Sequence, residues 1–188
     1  MRAAALSAPR QAGARIRRMT PPPGFTLRAA ELRDVSSIVA LIRELAEFEK
    51  LTHLLQVTPE KLRPHLFGEK PVVEAFVAEV PESAVPEGES RVVAFALFFT
   101  NYSTFLAQPG LYLEDLYVKP AHRSAGIGQA LLTRLARLAV ERDCGRFEWS
   151  VLDWNTNAIR FYERMGATVL PEWRICRIAG EALQRFKS

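Results

Sequence analysis

The sequence predicts a mixed α/β domain, and three observations carry that expectation. Short β-rich runs alternate with segments whose apolar residues recur at helical spacing. A glycine-containing loop separates one such run from a leucine-rich helical pattern, an order of elements typical of α/β folds. Composition agrees: 48% of the 188 residues are apolar and 24% charged, enough for one domain to bury its own core.

Taken in chain order, residues 25–28 read as a short strand, and Val35, Ile38, Val39, Ile42, Leu45 and Phe48 then mark a core-facing amphipathic helix. Thr58-Pro59 supplies an N-cap and a proline at the first helical position; Pro64 is expected to limit that second helix. The β-rich stretches 72–80 and 91–100 flank a turn-rich connection, Pro81 to Gly88, and predict a hairpin with a long loop. A third strand spans 111–118. After the glycine loop, Leu131, Leu132, Leu135, Leu138 and Ala139 define another buried helix face. A strand at 146–152, a helix from Asn155 to Met165 ending near Gly166, and a last strand at 168–178 complete the expectation.

The first 24 residues hold Arg2, Arg10, Arg15, Arg17 and Arg18, no acid, and a closing Pro21-Pro22-Pro23-Gly24. Residues 1–24 therefore read as a disordered extension ahead of one domain at 25–188. The same arginines fit a mitochondrial transit peptide, whereas the apolar stretch of a secretory signal is missing. The net charge of +4 comes from this leader: without its five arginines, 20 basic residues face 21 acidic ones, a net of −1. A nucleic-acid-binding surface is not expected on such a domain. The longest apolar run, Val92 to Phe99, is far short of the about 20 residues a membrane helix needs. Cys144, Cys176, His53, His65 and His122 show no metal-ligand spacing, so no metal is expected, and two cysteines suit a reducing, cytoplasmic setting.

The loop Arg123-Ser124-Ala125-Gly126-Ile127-Gly128-Gln129 enters the leucine-rich helix. A helix N-terminus carries roughly +0.5 of a charge and unpaired N–H groups, and Gly126 and Gly128 let backbone approach an anionic ligand closely. A P-loop would need Lys after the last glycine; a dinucleotide fingerprint would need glycine where Leu131 stands. What remains is R-x-x-G-x-G, which resembles the pyrophosphate grip of the GNAT N-acetyltransferases.

The flanking segments sharpen that resemblance. Upstream stands Leu111-Tyr112-Leu113-Glu114-Asp115-Leu116-Tyr117-Val118, and downstream Trp154-Asn155-Thr156-Asn157-Ala158-Ile159-Arg160-Phe161-Tyr162-Glu163-Arg164-Met165-Gly166-Ala167. With Arg43 to Lys50 and Val77 to Pro81, they are similar to the diamine branch, which includes spermidine/spermine and thialysine acetyltransferases. The resemblance implies a central, mixed, mostly antiparallel sheet flanked by helices, and a homodimer. It also implies transfer of the acetyl group from acetyl-CoA, as co-substrate, to a primary amine in a ternary complex. For the cofactor it implies Leu116, Tyr117 and Val118 at the pantetheine arm, Arg123, Ser124, Ala125, Gly126, Ile127, Gly128 and Gln129 at the pyrophosphate, and Asn155, Thr156, Asn157 and Ala158 on the opposite side. Ser124 replaces a common glycine, and Thr156-Asn157 a common Glu-Pro.

An alkylamine with a pKa of about 10.4 arrives protonated near neutrality, so its proton must be removed before it attacks a thioester. Glu114 is the expected base, directly or through water, and Tyr162 the general acid at the departing thiol. Strand alternation sets Asp115 on the face opposite Glu114, so the two are not expected to act as a dyad. Phe48, Glu49, Glu114, Glu148, Trp149, Ser150 and Glu172 are implied on the acceptor side, where carboxylates would meet remote ammonium groups. A protein lysine or N-terminal acetyltransferase and a non-catalytic acyl-CoA sensor remain as alternatives.

Overall fold

Residues 24–187 are described in a computed structural model of the chain, so the expectation for the N-terminal extension falls outside the described residues apart from Gly24. The strands are β1 (Thr26–Ala29), β2 (Glu74–Glu79), β3 (Val92–Ser103), β4 (Gln108–Val118) and β5 (Arg146–Trp149). The helices are α1 (Val35–Phe48), α2 (Pro59–Phe67), α3 (Ile127–Glu141), α4 (Thr156–Arg164) and α5 (Gly180–Gln184). One sheet runs in the order β1-β2-β3-β4-β5, antiparallel up to β4, with β5 joined parallel to β4. A parallel neighbour requires a crossover, which α3 supplies.

The sheet is covered on both faces, which explains why residues 92–98 form an unbroken apolar run. Alternate residues serve opposite layers. Phe76, Ala78, Ala96, Phe98, Leu111 and Leu113 pack against Ile127, Leu131 and Leu135 of α3. Ala75, Val77, Phe95, Leu97 and Tyr117 pack against Ile38 and Leu41 of α1 and Leu62 and Leu66 of α2. Each fully buried Leu or Phe contributes about 1.5–3 kcal/mol by leaving water.

Charge pins the entry to α1. Arg28 on β1 reaches Asp34 through two nitrogens at 2.6 and 2.9 Å, and its Nε meets Glu79 of β2 at 2.9 Å. Burial alone would raise the Asp34 carboxyl, but Arg28 and the Glu31 amide outweigh it and hold the group below its usual range.

Three expectations need correction. Pro64 does not stop the second helix, which continues to Phe67; Leu62 and Leu66, buried on either side of the proline, outweigh its one missing amide bond. Phe48 does not join the core: at the last position of α1 it is 42% exposed and turns toward other partners. Segment 168–178 forms no strand. Val169, Trp173, Ile175 and Ile178 are exposed there, and the segment does not pair with the open edge of β5; β propensity depends on packing context and makes no strand without that pairing. No helix among the described residues is long and apolar enough to cross a membrane.

Candidate active site

The site begins where two strands part. β4 and β5 pair from Gly110↔Arg146 to Leu113↔Trp149 and no further, so β4 runs on from Glu114 to Val118 without β5 beside it. At the same point the register with β3 slips: Phe98 pairs with Leu113 and Leu97 with Asp115, leaving Glu114 as an extra residue. Beyond the bulge, the amide of Lys119 donates to Val93 O on the β3 side. By alternation the N–H and C=O groups of Leu116 and Val118 point into the cleft, and those of Tyr117 point to β3. Of the three expected pantetheine contacts, Leu116 thus offers its backbone to the cleft and Val118 its N–H, the Val118 carbonyl already accepting from Arg123 Nε. Tyr117 is buried against α1, its hydroxyl donating to Glu44 at 3.2 Å.

The bulge also overturns the expected separation of Glu114 and Asp115. Leu111 and Leu113 face α3, whereas two residues beyond Leu113 the parity has changed and Asp115 shares the α1 face with Tyr117. Burial, then the charges of Glu114 and Glu49, push the Asp115 carboxyl up to about 6. Glu49, just past the end of α1, is itself raised by burial. Burial also raises the Tyr162 phenol, with the Glu49 charge adding to it. Tyr162 and Asp115 thus both feel the Glu49 charge, and Glu114 precedes Asp115 in the part of β4 that β5 leaves unpaired. Sequence reasoning set Asp115 aside by strict alternation; the pair of adjacent acids in an otherwise apolar strand was the signal that alternation breaks there.

Tyr162 is held from the α3 side. Its ring meets Trp149 edge-on at 5.0 Å and Phe161 at 5.4 Å. Trp149 therefore supports the tyrosine from below, on the face opposite Glu148 and Ser150. Glu148 is ion-paired with Arg146 at 2.9 Å, and Ser150 Oγ lies 2.9 Å from the Tyr112 hydroxyl. Glu172 is exposed in the C-terminal segment.

The glycine loop faces the same cleft. Ser124 (φ +65°) and Gly126 (φ +81°) both adopt the left-handed conformation, which turns successive amides inward as an anion nest does. Ala130 makes the first bond of the α3 ladder, to Gly126 O, so the amides of Ile127 and Gly128 precede it. A Cβ on Gly128 would meet Val118, Leu116 and Phe161 at 3.8–4.0 Å, which places that glycine between the free end of β4 and α4. Opposite, Asn155 caps α4, its side chain accepting from Ala158 N at 3.3 Å, while Thr156 and Asn157 are exposed in the first turn. This cradle fits a diphosphate ester with a long arm.

Two features escaped the sequence reading. The Arg123 guanidinium lies over the rings of Phe48 (5.2 Å) and Tyr117 (5.5 Å), and its Nε donates to Val118 O at 3.0 Å. Phe48 in turn touches Trp154 at 5.8 Å, linking the end of α1 to the segment before α4. No local pattern signals a contact between residues so far apart in the chain.

Residues 42–167, which contain the bulge, the glycine loop and Tyr162, match the acetyltransferase (GNAT) family. The chain belongs to the GNAT acetyltransferase family. Among its relatives, the L-ornithine N5-acetyltransferase NATA1 of Arabidopsis thaliana is 39% identical, over 84% of this chain and 86% of that protein. The thialysine N-epsilon-acetyltransferase of Sus scrofa is 40% identical over 85% and 95%. Among solved structures, an integron cassette protein from V. cholerae superposes with a TM-score of 0.70 at 23% identity, covering 88% of this chain and 99% of the other. That likeness concerns the fold: the expected GNAT sheet, mixed and mostly antiparallel with helices on both faces, is the one observed.

Proposed function

We propose that this GNAT enzyme moves the acetyl group of acetyl-CoA to a primary amine of a small diamine, polyamine or lysine-like molecule, by direct attack in a ternary complex. The observation that carries this reading is the bulge at Glu114 where β4 parts from β5, with Tyr162 held against Trp149, the last residue of β5 to pair, and the left-handed helix entry at Ser124 and Gly126 beside it. The amine specificities in the names of the ornithine and thialysine relatives support it.

Acetyl-CoA supplies the thioester; Leu116 and Val118 would take the pantetheine amides, and the loop from Arg123 to Gln129 with the start of α4 the pyrophosphate end. The remaining steps belong to side chains of this chain. Glu49, Glu114 and Asp115 draw an alkylammonium to the acyl end and orient it. Glu114, exposed at the bulge, accepts the proton from that nitrogen, directly or through one water. The raised phenol of Tyr162 keeps its proton near neutrality and delivers it to the departing sulfur. A cytoplasmic homodimer is part of the same reading. The two free cysteines support the compartment, and the exposed Trp173, Ile175 and Ile178 support a partner surface.

The experiment is release of CoA by purified protein given acetyl-CoA and a panel of spermidine, putrescine, ornithine, thialysine, lysine and a lysine peptide. Turnover of one free amine supports the proposal. Turnover of the peptide alone makes the protein-acetylating alternative correct, and acetyl-CoA binding without turnover favours the sensor.

A further inference from the structure

The face that carries Asp115 continues along β4 and β5, away from the cleft. Register sets Tyr112 beside Glu148 and Gly110 beside Arg146, and alternate residues share a face. The Tyr112 ring lies against Phe99 at 5.1 Å, an apolar floor next to the carboxylates. Beyond it, Arg146 Nε sits 2.9 Å from Glu148 Oε2, and the two side chains are 35% and 37% exposed.

The guanidinium has hydrogen-bonding capacity to spare. One terminal nitrogen donates to Tyr102 O at 3.3 Å, and Nε is buried beside Glu148 without a well-directed hydrogen bond, so the other terminal nitrogen is the donor left for a ligand. Buried Asn101 Oδ1 likewise has no hydrogen-bond partner. Glycine at 110 makes this arrangement possible: a Cβ there would collide with Asn101 Oδ1 and come within 3.2 Å of Arg146 Nε.

The two ends of this surface differ in charge. At the acyl end stand Glu49, Glu114 and Asp115, and among the described residues no Lys or Arg pairs with them. At the far end stands a cation–anion pair. A polyamine carries cations only, so its distal ammonium would meet Arg146. A basic α-amino acid carries a lone ammonium at one end and an ammonium–carboxylate pair at the other, the complement of both ends at once. Length agrees: three or four methylenes span about 5–8 Å, and Glu148 lies opposite Tyr112, two residues or about 7 Å from the bulge.

We propose that Arg146 and Glu148 form a subsite for an α-amino-acid head, Arg146 taking the carboxylate and Glu148 the α-ammonium, so that the acceptor is a diamino acid rather than a polyamine. This rests on the acyl-transfer reading above.

The test uses acceptors that differ by the carboxylate alone, ornithine against putrescine and lysine against cadaverine, with the full-length chain. The wild type is expected to favour the amino acid roughly tenfold or more in kcat/KM. Arg146→Gln collapses that ratio toward one, and Arg146→Lys restores part of it. Equilibrium binding of the same four amines, followed by tryptophan fluorescence, reads the ratio without turnover. A wild type that prefers the diamine, or a ratio unchanged in Arg146→Gln, overturns the subsite. Carboxylate-dependent binding that Arg146→Gln abolishes, with no turnover of any amine, sustains the subsite and sinks the acyl-transfer reading.

Discussion

Trp149 meets Tyr162 edge-on at 5.0 Å, and Trp149 is also the last residue through which β5 pairs with β4. The strand that opens the cleft therefore props up the proposed acid within it. Tyr162→Phe keeps the ring contact and removes only the hydroxyl. It is expected to lower kcat about 10²–10⁴-fold while acetyl-CoA binding and unfolding midpoint stay near wild type. Turnover within a fewfold of wild type would remove Tyr162 from that role.

Asp115 provides a pH test with a defined sign. Its folded pKa of about 6 lies above the ordinary 3.8, so the folded state holds the proton more tightly. The stability this group contributes is present below about pH 4 and lost as pH rises through 6. Asp115→Asn should therefore be more stable than wild type at pH 7, by about 1–3 kcal/mol, and lose that advantage near pH 4. Urea unfolding at the two pH values measures this. In wild type the amine KM should also rise as pH drops below 6, and the inflection should vanish in the variant.

The glycine loop separates folding from binding. Ser124 holds a left-handed φ of +65°, at a cost of roughly 1–2 kcal/mol, so Ser124→Gly is expected to raise the thermal midpoint. Gly128→Ala meets only ordinary contacts and should fold as well as wild type. Its new methyl lies in the cleft, however, and acetyl-CoA affinity measured by calorimetry should fall about tenfold or more.

Arg28 anchors the entry to α1 through Asp34, which is 3% exposed. Arg28→Met leaves that carboxylate unpaired and should cost about 3 kcal/mol at pH 7. Because the Asp34 pKa is held down in the fold, its contribution is present above about pH 4 and lost as pH falls through the folded value. Acid unfolding of the variant should accordingly begin from a lower plateau.

Much of this molecule is legible in order along the chain. The period of Val35, Ile38 and Val39 gave α1; Leu131, Leu132 and Leu135 gave α3; Thr58-Pro59 and Asn155 gave two helix starts. Those signals are local, since periodicity and capping depend on neighbours within a turn or two. The glycine loop was legible for the same reason: its two left-handed positions lie within seven consecutive residues.

Relations that depend on pairing between strands were not. Whether Asp115 faces Glu114 or turns from it depends on one register slip against Leu97 and Phe98, and nothing in β4 alone records where its partner slips. Phe48 kept the helical period yet left the core, because its place is set by Arg123 and Trp154 at the end of the helix. Segment 168–178 had the composition of a strand and yet does not pair with the open edge of β5. The residues and their local geometry follow from the chain itself; which carboxylates share a cleft, and which aromatic ring supports Tyr162, follow from long-range packing that fixes the register.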